Sequence, residues 1–385
     1  MFCFLSKTFL HGRRPVKIKA LGCHNLLLSF STSSNQQSFT VSYLMETCGL
    51  SPESALSASK YVRFETPNQP DSAMAFFKNH GFSKSQIATM VAKRPSLLSS
   101  NVEKTLLPKI EFFNSRGISS SDLAKLLTKH PHVLAYSLDK KIIPSFNFLS
   151  NLYQSDNDAL VVLILWPRFL THDLDSYILP NINVLRQNGV PESYVAKGFR
   201  WFPRTLTTAP VVFKENVAEV KKMGFEPERF NFYSAVFVLC SMSKSTWERK
   251  FDVYKKFGWS KKEILEAFKR YTLLMAVSED KIKAVMDFLV NAMGFRASSV
   301  AKLPHVLGLS VEKRIVPRGL FVKDLMSMGL LEKKLGLSLL FRSPEKLFLE
   351  RFVYCYEEGK ASELLKLYNA KFELAAGGKL KTNRY

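Results

Sequence analysis

Short amphipathic segments recur along this chain, each following a glycine. In the segment over residues 83–91, the apolar residues Ile87, Met90 and Val91 are spaced i, i+3 and i+4, which is the pattern of one helix face. No alternating apolar and polar stretch of useful length is present. The pattern therefore predicts helices and no sheet, with side-chain caps at the residues that open three of the segments, Ser83, Ser119 and Ser260.

Prolines divide these segments at a fixed interval. Four leading prolines are 36 residues apart, and the first three are followed 13 residues later by a second proline and then by an apolar pair. A proline disfavours helix at the residue before it and is tolerated in the first turn of a new helix. The frame thus predicts a unit of helix, turn, longer helix, turn. The leading prolines are Pro95, Pro131, Pro167 and Pro203, and the second ones are Pro108, Pro144 and Pro180.

The same frame continues with substitutions toward the C-terminus. Pro304 and Pro317 are again 13 residues apart, whereas Tyr271 stands where a leading proline is expected and residues 232–245 are irregular. Glycines close the second helices as predicted C-caps, namely Gly117, Gly189, Gly258 and Gly294. Neither helix of a unit could bury its apolar stripe alone, so successive units must stack. We predict an all-α protein, an α-solenoid or superhelix of about eight tandem units over residues 42–366.

Three sequence strings carry a resemblance to a known family. They are Lys93-Arg94-Pro95-Ser96-Leu97-Leu98, Lys129-His130-Pro131-His132-Val133-Leu134 and Lys302-Leu303-Pro304-His305-Val306-Leu307. Together with the second proline, the apolar pair and the glycine, the frame resembles the mTERF family of organellar transcription termination factor-like proteins, which are numerous in plants. The resemblance implies a left-handed helical superhelix that binds nucleic acid in organelles. Members act in transcription termination or initiation, in rRNA maturation or in intron splicing.

The N-terminal segment indicates an organellar address. The first acidic residue is Glu46, and the residues before it are basic, apolar and rich in serine and threonine, which is typical of a transit peptide. We predict that residues 1–35 are this peptide and that the destination is the mitochondrion, with the chloroplast as the alternative. At the other end, residues 367–385 are predicted to be a basic C-terminal tail.

Positive charge belongs to the body of the chain as well. The formal net charge is +22 and the isoelectric point is about 9.7. The basic residues before Glu46 account for five of these charges, which leaves +17 for the remainder. Such an excess points to a polyanionic partner.

Basic residues recur within three positions of the leading proline. Residues at one repeat phase line one edge of a solenoid, where lysine and arginine would contact a phosphate backbone. The alternative is that they close helix C-termini and complement the helix dipole. These candidates for nucleic-acid binding are Lys93, Arg94, Lys129, Arg168, Arg200, Arg204, Lys269, Arg270, Lys302 and Arg342.

A second basic set lies near the starts of the longer helices. Positive charge there opposes the helix dipole, so helix stability does not explain it, although a solvated face would. Lys313, Arg314 and Arg318 are the predicted phosphate site in this set. The other members are Lys140, Lys141, Arg249 and Lys250.

The tryptophans admit two interpretations. Trp166, Trp201, Trp247 and Trp259 could stack on splayed bases, but packing in the core or between units is the preferred explanation.

The remaining chemistry excludes several classes of protein. The sequence has no phosphate-binding glycine loop and no motif of a hydrolase or metalloprotease. Its five cysteines are scattered without a CxxC pair, so neither a disulfide framework nor a metal site is indicated. The longest apolar run, residues 159–166, is too short to cross a membrane. We predict no enzyme, no cofactor, no metal and no membrane partner.

The predicted function combines these expectations. The chain should act as a monomer on duplex DNA, RNA or both, regulating organellar gene expression, for example by transcription termination, with organellar transcription or splicing proteins as further partners. The alternatives are an RNA-binding factor for intron splicing or rRNA maturation, and a protein-binding helical scaffold.

Overall fold

The computed structural model describes residues 34–332 and 335–377, and every regular element in these ranges is helical. The prediction of an all-α protein built from helical repeats is therefore confirmed. Most of the predicted transit peptide lies outside the described residues, as do Lys379, Lys381 and Arg384 of the predicted tail. The described chain folds as two compact units, one over residues 34–107 and 127–131 and the other over 108–126 and from 132 onward.

The first unit contains four complete helices. Its core is apolar, with Leu44, Phe77, Ile87 and Leu98 fully buried. Ser83 caps the fourth helix in a reciprocal arrangement with Gln86, as predicted for this serine. The helices are α1 (Ser34–Glu46), α2 (Pro52–Ala58), α3 (Asn68–Asn79) and α4 (Lys84–Lys93). The boundary between the units falls within α5 (Leu107–Ser115) and α6 (Ser120–Lys129).

The second unit repeats a pair of helices through most of its length. Its further helices are α7 (Ile143–Tyr153), α8 (Asp156–Leu165), α9 (Leu179–Gln187), α10 (Glu192–Trp201), α11 (Pro210–Lys222), α12 (Phe230–Cys240), α13 (Lys244–Lys256), α14 (Lys261–Arg270), α15 (Glu279–Met286), α16 (Ala297–Lys302), α17 (Val316–Ser327), α18 (Leu337–Phe341), α19 (Glu345–Phe352) and α20 (Glu358–Gly377).

A 3₁₀ turn follows each leading position, so the first helix of a unit ends where the proline frame predicts. Tyr271 keeps this arrangement without a proline, because its N–H closes the end of α14 on Ala267 O at 2.9 Å and the turn starts one residue later. In the irregular stretch, α12 passes to α13 through residues 241–243 without such a turn. The 3₁₀ turns are Pro95–Ser99, Pro131–Ala135, Pro167–Thr171, Pro203–Thr207, Thr272–Ala276 and Pro304–Gly308.

The longer helices begin earlier than the second prolines indicate. A π-helical turn precedes Pro108, and the N–H of Leu107 bonds to Val102 O, five residues back. Because Pro108 has no N–H to donate, widening the preceding turn accommodates its ring without breaking the helix. The turn recurs at Leu138–Ile142, Leu174–Ile178 and Val311–Ile315. A polar side chain that the repeat pattern did not predict caps each of these starts, namely Asn101, Ser137, Asp173 and Ser310.

Glycines close the longer helices as predicted. Gly117 and Gly189 have φ values of 87° and 84°, a left-handed conformation that favours glycine. The N–H of the next residue, Ile118, returns to Phe113 O at 3.3 Å, so the last carbonyls of α5 are satisfied.

The last helix extends into the segment predicted to be a basic tail. Helix α20 continues to Gly377, ten residues past the predicted start of the tail at residue 367. The reason is packing, since Tyr368 is 2% exposed and its hydroxyl donates to the Glu345 carboxylate at 2.6 Å.

Candidate nucleic-acid interface

The candidate cations of the second unit lie where each first helix ends and its 3₁₀ turn begins. In these turns the apolar residues face inward, as Phe169 and Leu206 are fully buried, while Arg168 and Arg204 between them and the leading prolines are exposed. The repeat frame therefore points one basic side chain outward at this phase in two consecutive turns.

Aromatic contacts hold neighbouring helix ends of the second unit together. The rings of Trp166 and Phe199 are 5.6 Å apart, which joins the ends of α8 and α10. Further along, the rings of Tyr271 and His305 are 4.7 Å apart. Burial lowers the pKa of His305, and the nearby positive charge of Arg342 lowers it further. These contacts join the helix ends of successive repeats, which are the ends that carry the candidate cations.

Most of these cations in the second unit have no carboxylate partner. Within the described residues, no ion pair involves Arg168, Arg204, Arg270, Lys302 or Arg342, and all five are exposed. A cation that is solvated and unpaired loses little when it exchanges water and counterions for phosphate.

Two candidates are engaged in surface ion pairs. Arg200 binds the Asp158 carboxylate at 2.8 Å and Lys269 lies 3.6 Å from Glu266. Exposed pairs of this kind contribute about 0–1 kcal/mol. Both side chains could therefore turn to a phosphate at small cost, but their present contacts stay within the protein.

In the first unit, one candidate matches the helix-closing alternative. The Lys93 ammonium donates to Thr128 O at 3.0 Å and to Lys129 O at 3.2 Å, which are carbonyls at the C-terminus of α6. Lys129 itself is exposed and Arg94 is half-buried. Lys93 therefore closes a neighbouring helix, as the dipole argument anticipates.

The predicted phosphate site of Lys313, Arg314 and Arg318 does not assemble. Arg318 is fully buried; its guanidinium donates to Leu340 O at 3.0 Å and Ser343 O at 2.8 Å, and pairs with Glu345 at 2.6 Å. Lys313 is exposed and Arg314 is half-buried; burial, and then repulsion from Arg318, lowers the pKa of Arg314. Arg318 cannot reach an external phosphate, so its assignment is corrected.

Arg318 belongs to a group of polar side chains that link one repeat to the next. Each projects from a longer helix and donates to the last carbonyls of the following 3₁₀ turn or its equivalent, which have no donor within the turn. Lys109 reaches Leu134 O at 2.6 Å, and Asn181 reaches Leu206 O at 2.9 Å. Lys250 reaches Met275 O at 2.5 Å and Val277 O at 2.8 Å. We call these side chains the inter-repeat links; they include Lys141 on His172 O and Lys281 on Gly308 O.

The links explain part of the second basic set. Lys141, Lys250 and Arg318 carry positive charge near helix starts because carbonyl oxygens of the next repeat receive it. A sequence signal for them exists, since the residue directly after the second proline is polar at a phase that faces the core. These residues are Lys109, Ser145, Asn181 and Arg318, all buried. Three of them form links, whereas the Ser145 hydroxyl has no hydrogen-bond partner and Lys141 supplies the link of that repeat.

Replacing Lys250 by methionine is expected to lower the free energy of unfolding by about 2 kcal/mol at neutral pH, because two carbonyls lose a charged donor. Burial lowers the pKa of the Lys250 amine, so the folded protein releases this proton at a lower pH than the unfolded chain does. The stability contributed by Lys250 therefore rises as pH increases through the lowered pKa. Urea denaturation should show a deficit that widens from about pH 7 to about pH 10. Lys256→Met, at an exposed site, is the control and should leave the free energy of unfolding unchanged at both pH values. An equal deficit of Lys250→Met at the two pH values would contradict the prediction.

The tryptophans divide into two kinds. Trp259 is 2% exposed and stacks on Tyr254 with ring centres 4.9 Å apart, and Trp247 packs edge-on against Phe268. The preferred explanation, packing, is confirmed for these two. Trp201 differs, because half of its surface is exposed at the end of α10.

Metal-binding groups and membrane-spanning helices concern the described part of the chain in the same way. No group of three or more histidine, cysteine or acidic side chains is placed to hold a metal ion there. Within the same ranges, no helix has the length and apolar character needed to cross a membrane.

Comparison with known proteins places this geometry in a family. A relative from Arabidopsis thaliana, the mitochondrial transcription termination factor MTERF15, is 28% identical over 107 residues, which cover 28% of this chain and 24% of that protein. The match thus spans about a quarter of the relative's length. The mTERF family model matches residues 74–231 and 199–349, which is most of the described chain and includes the 3₁₀ turns and candidate cations. The family consists of non-enzymatic nucleic-acid binders, and this chain belongs to the mTERF family.

Proposed function

We propose that this protein binds nucleic acid in the mitochondrion and regulates gene expression there, with transcription termination as the specific role. Arg168, Arg204, Arg270, Lys302 and Arg342 carry the proposal, because they are exposed and have no ion-pair partner among the described residues. Each also lies within two residues of the leading position of its repeat, which is Pro167, Pro203, Tyr271, Pro304 or Pro344. We call these five residues of the second unit the basic edge.

Three further observations support the proposal. Family membership implies organellar nucleic-acid binding. The name of the Arabidopsis relative gives both transcription termination and the mitochondrion. The basic, acid-free N-terminal sequence is typical of an organellar transit peptide. The basic edge would contact phosphates without regard to sequence, so it would bind duplex DNA and RNA alike.

The test is a salt titration of binding. The full chain is mixed with a labelled duplex DNA, a single-stranded RNA and a structured RNA of equal length, and affinity is measured by fluorescence anisotropy. If phosphate contacts supply the affinity, log K falls linearly with log salt, with a slope of about −0.9 per contact for duplex. Binding to duplex that ignores salt, or no binding to any of the three at low salt, would contradict the proposal.

A further inference from the structure

An apolar surface interrupts the cations in two neighbouring repeats. Two residues before the leading position, four units carry a lysine, namely Lys93, Lys129, Lys269 and Lys302. Two residues before Pro167 and Pro203, the same position holds Leu165 and Trp201 instead. These two side chains are 68% and 50% exposed, so the core does not account for them.

In these two repeats the basic residue stands three positions later in the sequence than the lysine of the other repeats. One residue after the leading position stand Arg168 and Arg204, both exposed. Elsewhere this position holds an uncharged residue or a histidine, namely Ser96, His132, Thr272 and His305. Each repeat thus retains a cation, while the lysine position of these two repeats is apolar.

Packing places the two apolar side chains on adjacent helix ends. The ring of Phe199 on α10 contacts Trp166 at 5.6 Å and Phe169 at 5.3 Å, and both partners lie just past the end of α8. Phe199 is fully buried, whereas Trp201, two residues later, is half exposed. Leu165 and Trp201 therefore occupy equivalent outward positions on two helices that are held side by side.

The occupant of such a surface must be both anionic and apolar in part. Arg168 and Arg204 beside the apolar side chains favour phosphate, and an exposed indole favours a planar partner. In a duplex the faces of the bases are stacked on one another, whereas a single strand can offer them to an aromatic side chain. A single strand therefore fits both features, and a duplex fits only the arginines.

We propose that Trp201 and Leu165 form a platform for unpaired bases of single-stranded nucleic acid, while Arg168 and Arg204 contact the adjoining phosphates. This platform rests on the proposed function and adds a strand preference to it. Base stacking on an aromatic side chain tolerates any base, since every base has a π face. The platform thus discriminates the state of the strand rather than its sequence.

Trp201→Lys gives the sharpest test, because it restores the lysine found at this position in the other repeats. A site for phosphate alone would bind every nucleic acid more tightly after this change. The platform predicts the opposite sign for a single strand, with affinity lowered about tenfold despite the added charge. Trp201→Ala should lower single-strand affinity by a similar factor, with duplex affinity within about twofold of wild type. Trp201→Phe, which keeps an aromatic face, should retain most of the wild-type affinity for the single strand.

The measurement compares a single-stranded oligonucleotide, its duplex and an abasic strand of equal length, all with the full chain. Wild type should bind the abasic strand more weakly than the normal single strand, whereas the Trp201→Ala variant should bind both with the same affinity. Leu374→Ala, at another side chain that is 61% exposed, is the matched control, and thermal unfolding verifies that each variant folds.

The outcomes separate the platform from the proposed function. If wild type binds duplex and single strand but Trp201→Ala alters neither, the platform is wrong and the proposed function stands; a protein-docking role for this surface would give that result. If Trp201→Lys binds both more tightly, the position contacts phosphate and the platform is again wrong. If wild type binds no nucleic acid, both proposals fail.

Discussion

Reversing three charges of the basic edge, with Arg204→Glu, Arg270→Glu and Arg342→Glu together, is expected to lower affinity for duplex DNA by at least on the order of 100-fold at about 0.1 M salt. Each arginine is exposed, and each lost phosphate contact also retains one more counterion on the nucleic acid. The slope of log K against log salt should become shallower by about 3. Fluorescence anisotropy over a salt series measures both quantities.

A matched variant separates position from net charge. Lys222→Glu, Lys256→Glu and Lys262→Glu change the net charge by the same amount at exposed sites near the glycine ends of the second unit. This control should lose far less affinity than the triple arginine variant. Equal losses would mean that only the overall charge matters, and the assignment of the basic edge would be wrong.

Replacing Arg318 by methionine is expected to lower the free energy of unfolding by about 3–5 kcal/mol, because it leaves the partners of a buried charge uncompensated. The change removes the donor from Leu340 O and Ser343 O and the cation from Glu345. It also removes a guanidinium that lies 4.3 Å from the centre of the Phe348 ring. The affected elements are α17, α18 and α19, at the C-terminal end of the repeats.

Two measurements make this prediction specific. Urea denaturation followed by circular dichroism gives the global loss, and hydrogen exchange over residues 337–352 shows whether the last helices open first, since repeat arrays can unfold in steps. Arg314→Met, one helical turn away and half-buried, is the control and should cost less than about 1 kcal/mol. Similar losses in both variants would contradict a special role for Arg318.

The repeat frame was predictable because its determinants are local. A proline removes an N–H and fixes its own backbone whatever surrounds it, so the positions of Pro131 and Pro167 are enough to locate the end of a helix. The same holds for Ser83 and Ser260, whose side chains cap the next helix through residues three positions away. Glycines such as Gly117 act through their own backbone conformation.

The π turns were not predicted, although their cause is also in the sequence. Pro108 indicates a helix start when it is considered alone. Asn101, seven residues earlier, caps the π-helical turn with which this helix begins, so the helix starts well before the proline. The helix continues through the proline because packing of its apolar face outweighs one missing hydrogen bond, and that balance is not visible in a local pattern.

The assignment of basic residues required the fold. Arg314 and Arg318 are the same residue type one helical turn apart, yet only Arg318 is fully buried. Its guanidinium binds backbone carbonyls of the following repeat. Lys93 and Lys129 share one repeat phase, but the Lys93 ammonium binds backbone carbonyls at the end of α6, including that of Lys129 itself. Periodicity shows that such residues are equivalent along the chain, but not what lies opposite each of them.

The sequence by itself determined the all-α repeat, the ends of its first helices, the caps at Ser83 and Ser260 and the excess of positive charge. These follow from the sequence because proline, glycine and serine act on backbone within a few residues of themselves. Only the tertiary structure decided which cations form the basic edge and which form the inter-repeat links. That choice depends on carbonyls and carboxylates supplied by a neighbouring repeat, about 25 residues away for links such as Lys109 to Leu134 O and about 40 for ion pairs such as Arg200 to Asp158, and a long flexible side chain can turn toward them or toward solvent.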